Sequence, residues 1–194
     1  MALTGILLAA GQGRRFGGGK LLHRLDSGLP IGIGSYRNLR AVVQDVLVVV
    51  RTGDHELRDL FIAEGARVVP CDDAEQGLSH SLVRGVSSAP TENNLLVALA
   101  DMPFVRADTL TQLVHALESG ALIAAPFHSG QRGNPVAFSR SLRDELLGAS
   151  GDMGAREVLK RHASGIHQVV CDDLGVLRDI DTREDLAAAS AGKA

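Results

Sequence analysis

Residues 3–20 read Leu3-Thr4-Gly5-Ile6-Leu7-Leu8-Ala9-Ala10-Gly11-Gln12-Gly13-Arg14-Arg15-Phe16-Gly17-Gly18-Gly19-Lys20, and the reading of this stretch decides the fold. Residues 3–9 form an apolar run ended by a small-residue turn, the pattern of a fully buried strand. The next nine residues, 11–19, hold five glycines and two arginines, and Lys20 follows directly. Glycines let a backbone turn sharply and bring its N–H groups close to phosphate oxygens. Arg14, Arg15 and Lys20 add cations, the arginines as planar forks and the lysine as a point charge. A strand running into such a loop reads as a phosphate cradle.

Working outward, further apolar runs predict strands over 45–50, 66–69, 95–99, 122–125, 136–138 and 167–171. Helical patterns fall between them, over 35–43, 79–86, 142–147 and 155–162. Asp54 is placed as the cap of a helix with Leu57, Leu60 and Phe61 on its apolar face, and Asp108 as the cap of one with Leu110, Leu113, Val114 and Leu117. Thr182 and Asp185 stand in capping-box spacing at the start of the last helix. Alternating strands and helices argue for an α/β fold: a single-domain, mostly parallel, doubly wound (Rossmann-like) sheet covering residues 1–194, with 190–194 as a frayed tail. In such a sheet ligands bind beyond the carboxyl ends of the strands. The glycine-rich loop, Asp101 after the fourth strand and Asp181 near the C-terminus all fall there.

Composition narrows the function classes. Aromatics make up 3% of the chain and Trp is absent, which argues against stacking platforms for single strands. A net charge of −3 gives no basic footprint for a duplex, so no nucleic-acid partner is expected. No apolar run reaches spanning length and the N-terminus has no signal-peptide pattern, so the expectation is a soluble, cytoplasmic protein without a membrane partner. Cys71 and Cys171 lie far apart and outside any CxxC pattern. The seven histidines show no paired metal-ligand spacing, and His80 is given no catalytic role. The loop is not a Walker motif, because Lys20 is followed by Leu21 and Leu22. Nor is it a dinucleotide fingerprint, because Phe16 stands where the third glycine belongs.

The stretch from Leu8 to Lys20 resembles the LAAGxGxRxGxxK signature of the molybdopterin cytidylyltransferases, within the wider NTP-transferase group. The resemblance continues through Gln76-Gly77-Leu78-Ser79-His80-Ser81-Leu82, which looks like that family's nucleotide-base loop, and Leu99-Ala100-Asp101-Met102-Pro103, which looks like its metal-binding motif. Arg132-Gly133-Asn134-Pro135-Val136 and Gly151-Asp152-Met153-Gly154-Ala155-Arg156 look like its acceptor-side motifs, and residues 179–186 like its C-terminal aspartate motif. The segment 27–40 departs from the pattern.

This resemblance implies transfer of CMP from CTP to molybdopterin, with release of pyrophosphate. It implies Mg²⁺, or Mn²⁺, on Asp101 and Asp181, with Arg15, Lys20 and Asp101 as catalytic groups. It assigns the nucleotide to Leu8, Ala9, Ala10, Gly11, Gly13, Arg14, Arg15, Lys20, Gly77, Ser79 and Ser81. It assigns the acceptor to Gly133, Asn134, Pro135, Asp152 and Arg156. The Ala10 methyl is expected to crowd a purine, and the Ser79 and Ser81 hydroxyls to read a pyrimidine. An apo-molybdoenzyme that takes the product is a further expected partner. The alternatives are a guanylyltransferase, a sugar-phosphate or methylerythritol-phosphate nucleotidyltransferase of the same fold, and a non-catalytic nucleotide sensor or cofactor chaperone.

Overall fold

The computed structural model describes residues 2–191, apart from the side chains of Asp152, Ala189, Ser190 and Ala191. Eight strands form one sheet: β1 (Leu3–Leu8), β2 (Asp45–Arg51), β3 (Arg67–Cys71), β4 (Asn94–Leu99), β5 (Ile123–His128), β6 (Gln131–Arg132), β7 (Val136–Phe138) and β8 (Ile166–Val170). Their order is β3-β2-β1-β4-β7-β5-β6, with β8 also pairing with β5. The β1–β2, β2–β3, β1–β4 and β5–β8 ladders are parallel. The insertion of β7 between β4 and β5, and the β5–β6 ribbon, are antiparallel.

The helices are α1 (Ile31–Arg40), α2 (His55–Ala63), α3 (Leu78–Ser88), α4 (Ala107–Glu118), α5 (Arg143–Leu147), α6 (Arg156–Arg161) and α7 (Arg183–Ala191). Side chains alternate across a strand, and the core divides accordingly. Leu7, Val48, Val50 and Leu96 meet α1, α2 and α4 through Leu39, Phe61 and Leu113. Ile6, Leu47, Val49 and Leu95 meet α3, α5 and α6 through Leu82, Leu146 and Val158. Helices therefore cover both faces, and β1 is buried from Thr4 to Leu8.

Two expectations need correction. The first helix starts at Ile31 behind Pro30, four residues before the expected Ser35, and ends at Arg40. Pro30 pre-sets the turn into it, while Gly32 and Gly34 weaken the helical signal in the sequence. Asp108 does not cap α4. It sits in the first turn, and Arg106 is the cap residue without a side-chain hydrogen bond. The buried carboxylate of Asp173 does the capping from outside. It accepts from the Arg106 N–H at 2.9 Å and the Thr109 hydroxyl at 2.8 Å. The expected caps elsewhere are present: Asp54 accepts from the Leu57 N–H. Asp185 accepts from the Thr182 N–H while the Thr182 hydroxyl accepts from the Asp185 N–H. The helix α7 runs through Ser190 to Ala191, and of the expected frayed tail 192–194 lies outside the described residues.

The chain leaves β1 toward β2 and β3, then returns to lay β4 on the other side of β1. That reversal opens a crevice at the carboxyl ends of β1 and β4, where such folds bind ligands. The loop 11–19 and Asp101 flank it.

Candidate active site

The cradle hangs from a fixed stem. The Ala9 N–H donates to the Val49 carbonyl at 2.9 Å, and the Leu8 carbonyl accepts from the Ala100 N–H at 3.0 Å. Ala9 packs into one core cluster, and Leu8 and Ala10 into the other. This corrects the steric argument for base choice, because the Ala10 methyl is 2% exposed and points into the core. Beyond the stem, Gly13 has φ of 57° and its absent Cβ leaves Lys20 Cβ only 3.1 Å away, so a side chain there meets strain and crowding together. The Phe16 and Gly18 N–H groups both donate to the Gly13 carbonyl, which closes the loop on itself. The N–H groups of Gly11, Gln12 and Gly13 have no protein acceptor among the described residues. Arg14 is engaged within the loop, its Nε 2.6 Å from the Gln12 side-chain oxygen.

Lys20 draws the two distant aspartates together. Its Nζ donates to Asp101 Oδ2 at 2.7 Å and to Asp181 Oδ1 at 3.0 Å. Arg15 donates to the other oxygen of Asp181 at 3.1 Å. The backbone closes the same joint, with the Ile180 N–H on the Asp101 carbonyl at 2.9 Å. Burial alone would lower the Lys20 pKa, but the charges and hydrogen bonds of Asp101 and Asp181 outweigh it and hold the ammonium above its ordinary value. Asp179, for which no role is expected from the sequence, is a third carboxyl nearby. Burial, then the charges of Asp181 and Asp101, push its pKa up. It sits two residues before Asp181 in the same motif, a signal that was available in the sequence.

Of the expected acceptor residues, Asn134 and Arg156 line a neighbouring hollow of about 170 Å³. Its walls are mostly apolar, including Leu8, Leu82, Leu99 and Phe138, and Arg132, Asn134 and Arg156 also line it. Leu8 and Leu99 end β1 and β4, so this hollow adjoins the crevice. Arg132 has no acidic partner among the described residues, and its burial, then the charge of Arg156, lower its pKa. Among the described residues, the Met153 sulfur, at 3.6 Å, is the hydrogen-bond partner of Arg156. Two guanidiniums without carboxylate partners among the described residues, beside an apolar wall, suit an anion. Gly133 and Pro135 are buried and shape the backbone instead. A Cβ at Gly133 would overlap the Val176 carbonyl oxygen, which accepts from the Asn134 N–H at 2.9 Å. The side chain of Asp152 lies outside the described residues.

The base-loop serines are a further correction. Ser79 is fully buried, and its hydroxyl donates to the Ser150 carbonyl at 3.0 Å. Ser81 is 3% exposed. The Ser79 hydroxyl ties α3 to the Ser150 carbonyl, and both serines are buried. Gly77 precedes α3 as its N-cap. His80 Nδ1 lies 2.7 Å from Asp73, whose other oxygen is 3.3 Å from the Cys71 sulfur.

A model of the MobA-like NTP transferase domain matches residues 5–166, most of the chain and all of the crevice except the 179–181 segment. The chain belongs to the MobA-like NTP transferase family. This MobA-like chain is 35% identical over 196 residues to the purine catabolism protein PucB of Bacillus subtilis, covering 94% of the chain and 93% of the relative. It is 30% identical over 203 residues to nicotine blue oxidoreductase of Paenarthrobacter nicotinovorans, covering 95% and 94%. The fold matches Rv0371c of Mycobacterium tuberculosis H37Rv in complex with manganese, at a TM-score of 0.82 and 20% identity over 98% of both chains. The MobA-like chain is a nucleotidyltransferase with a mostly parallel central sheet.

The donor set suits a divalent ion that brings other ligands with it. Among the described residues no group of three or more His, Cys, Asp or Glu side chains forms a protein-only metal site. Asp101 Oδ1, however, is a buried carboxylate oxygen with no hydrogen-bond partner. Mg²⁺ is usually bound by one or two carboxylates completed by substrate phosphates and water, and Asp101 with Asp181 matches that demand. Among the described residues no helix is long and apolar enough to cross a membrane.

Proposed function

We propose that this protein transfers CMP from CTP to the phosphate of molybdopterin, or its molybdenum-loaded form, and releases pyrophosphate. The observation that carries the reading is the pairing of two adjacent sites. One holds the Lys20, Asp101 and Asp181 cluster beneath a glycine loop. The other is an apolar hollow guarded by two arginines that have no acidic partner among the described residues. The first suits a triphosphate, and the second a ring system bearing an anionic arm.

In this reading the N–H groups of Gly11 and Gly13, with Arg14 and Arg15, hold the triphosphate, and Lys20 stabilises the charge that develops on it. Arg132 and Arg156 hold the acceptor phosphate, with Asn134 beside them. That phosphate is already ionised near pH 7, so an oxygen attacks the α-phosphorus with no general base. The bond from the α-phosphorus to the bridging oxygen breaks, and pyrophosphate leaves. Both reactants are anions, so alignment and charge neutralisation supply most of the catalysis. A divalent cation on Asp101 and Asp181, Mg²⁺ or Mn²⁺, supplies further neutralisation when bound. The choice of CTP rests on the Leu8-Ala9-Ala10-Gly11 resemblance. The product is suited to delivery to an apo-molybdoenzyme.

The test is a pyrophosphate-release panel, with four NTPs against molybdopterin, a hexose 1-phosphate and methylerythritol phosphate. The reading expects turnover with CTP and molybdopterin at least about ten-fold above every other pair. A preference for GTP moves the protein to guanylyl transfer, and a preference for a sugar phosphate removes the acceptor assignment. Since one relative is named an oxidoreductase, NADH and NADPH oxidation is followed in the same preparation and is expected to stay at background.

A further inference from the structure

Three of the four carboxylate oxygens of Asp101 and Asp181 already face a cation, and the fourth is buried. Lys20 holds Asp101 Oδ2 and Asp181 Oδ1, and Arg15 holds Asp181 Oδ2. The fourth oxygen, Asp101 Oδ1, is shut off from solvent and has no hydrogen-bond partner among the described residues. The two cations differ in kind. The Lys20 side chain is 9% exposed and bridges both aspartates, whereas that of Arg15 is 79% exposed and touches one. An ammonium and a dication cannot share the same pair of oxygens without strong repulsion at contact distance. Asp179, close by, adds to the negative field that a cation must answer.

We propose that Lys20 is the resident counter-ion of the aspartate pair and must leave it before a divalent cation can bind. The inference rests on the reading of Asp101 and Asp181 as carboxylates that hold a metal. Its consequence is coupled entry. The triphosphate offers the Lys20 ammonium new oxygen partners and thereby frees the aspartates, so metal and nucleotide enter together while either alone is held back. The same side chain then neutralises the aspartates in the empty enzyme and the phosphates in the loaded one.

The test is Mn²⁺ binding to the purified full-length protein without nucleotide, read by electron paramagnetic resonance of the free ion. Lys20→Met keeps the aliphatic stem and removes the charge, and Lys20→Gln replaces it where the apolar variant does not fold. Either variant is expected to bind Mn²⁺ at least about ten-fold tighter than the unaltered protein. Arg15→Ala removes an exposed, solvent-screened cation and is expected to gain less than about three-fold. Adding Asp101→Asn to the Lys20 variant is expected to abolish the gain. A gain below two-fold in both Lys20 variants overturns the exchange, as does an equal gain from Arg15→Ala, which is a general field effect. If Mn²⁺ binds the unaltered protein and the Lys20 variant equally well through Asp101, the exchange alone fails. If neither binds Mn²⁺ at all, even with CTP present, the metal role of the aspartates fails with it.

Discussion

Asp101 grips Lys20 with one oxygen and keeps the other buried without a partner. An unsatisfied buried acceptor costs free energy, and in the proposed reading this oxygen is the one a cation would meet. Asp101→Asn removes the charge at nearly constant shape. The protein is expected to fold, because Asp181 still holds Lys20, and to lose about 10²-fold or more in turnover. Rates like those of the unaltered enzyme would remove the metal assignment. Lys20→Ala is expected to lower kcat more than it raises KM, since the charge it answers grows in the transition state. A change in KM alone would make Lys20 a uniform binding contact. Away from the crevice, burial and then the neighbouring Asp73 push the Cys71 thiol up to about 11. An acid raised in the folded state binds its proton there after the unfolded chain has released it near pH 8.5. Stability should therefore fall as pH rises from about 8.5 toward the folded value of about 11. Urea denaturation across that range should show a shallower fall in Cys71→Ala. An unchanged slope would place the titration elsewhere.

Among the elements, the connection from β8 to α7 ties the site together. Asp173 pins its start to the N-terminus of α4, the Val176 carbonyl meets the acceptor loop, and its far end delivers Asp181 to Lys20. Asp173→Ala leaves the Arg106 N–H, the Thr109 hydroxyl and the Gly175 N–H without that acceptor. A loss of about 1–3 kcal/mol in denaturant unfolding is expected for stranding buried donors. A change below about 0.5 kcal/mol would show that water replaces the carboxylate. This connection was only half legible in the sequence. The 182–185 capping box is local and could be read directly. The Asp173 cap joins residues 64 positions or more apart and left no local trace. The strands β1, β2 and β4 were clear because burial on both faces demands unbroken apolar runs. The start of α1 was hidden by Gly32 and Gly34, whose poor helix propensity is overridden by packing against Phe61 and Pro103. Ala10 ends the stem of the loop and Ser79 and Ser81 lie in the first turn of α3, but residue type does not say which way a side chain points. All three turn inward.

For the whole molecule, the doubly wound sheet brings residues 20, 101 and 181 to one edge at the point where strand order reverses. That convergence was legible, because it depends only on the order of elements and on where strands end. The antiparallel β7 beside β4 was not, since a three-residue strand carries too little pattern to fix its direction. Yet β7 starts two residues after Asn134, which lines the hollow beside the crevice, and pairs with β4. The central claim is that the crevice joins a nucleotide to a phosphate-bearing acceptor. It is tested most directly by following label from CTP carrying ³²P at the α-phosphorus, with molybdopterin as acceptor and pyrophosphate counted in the same reaction. The account predicts label in a molybdopterin dinucleotide, in one-to-one ratio with pyrophosphate and absent with Asp101→Asn. Label recovered only as free CMP, or pyrophosphate formed without labelled dinucleotide, would contradict it.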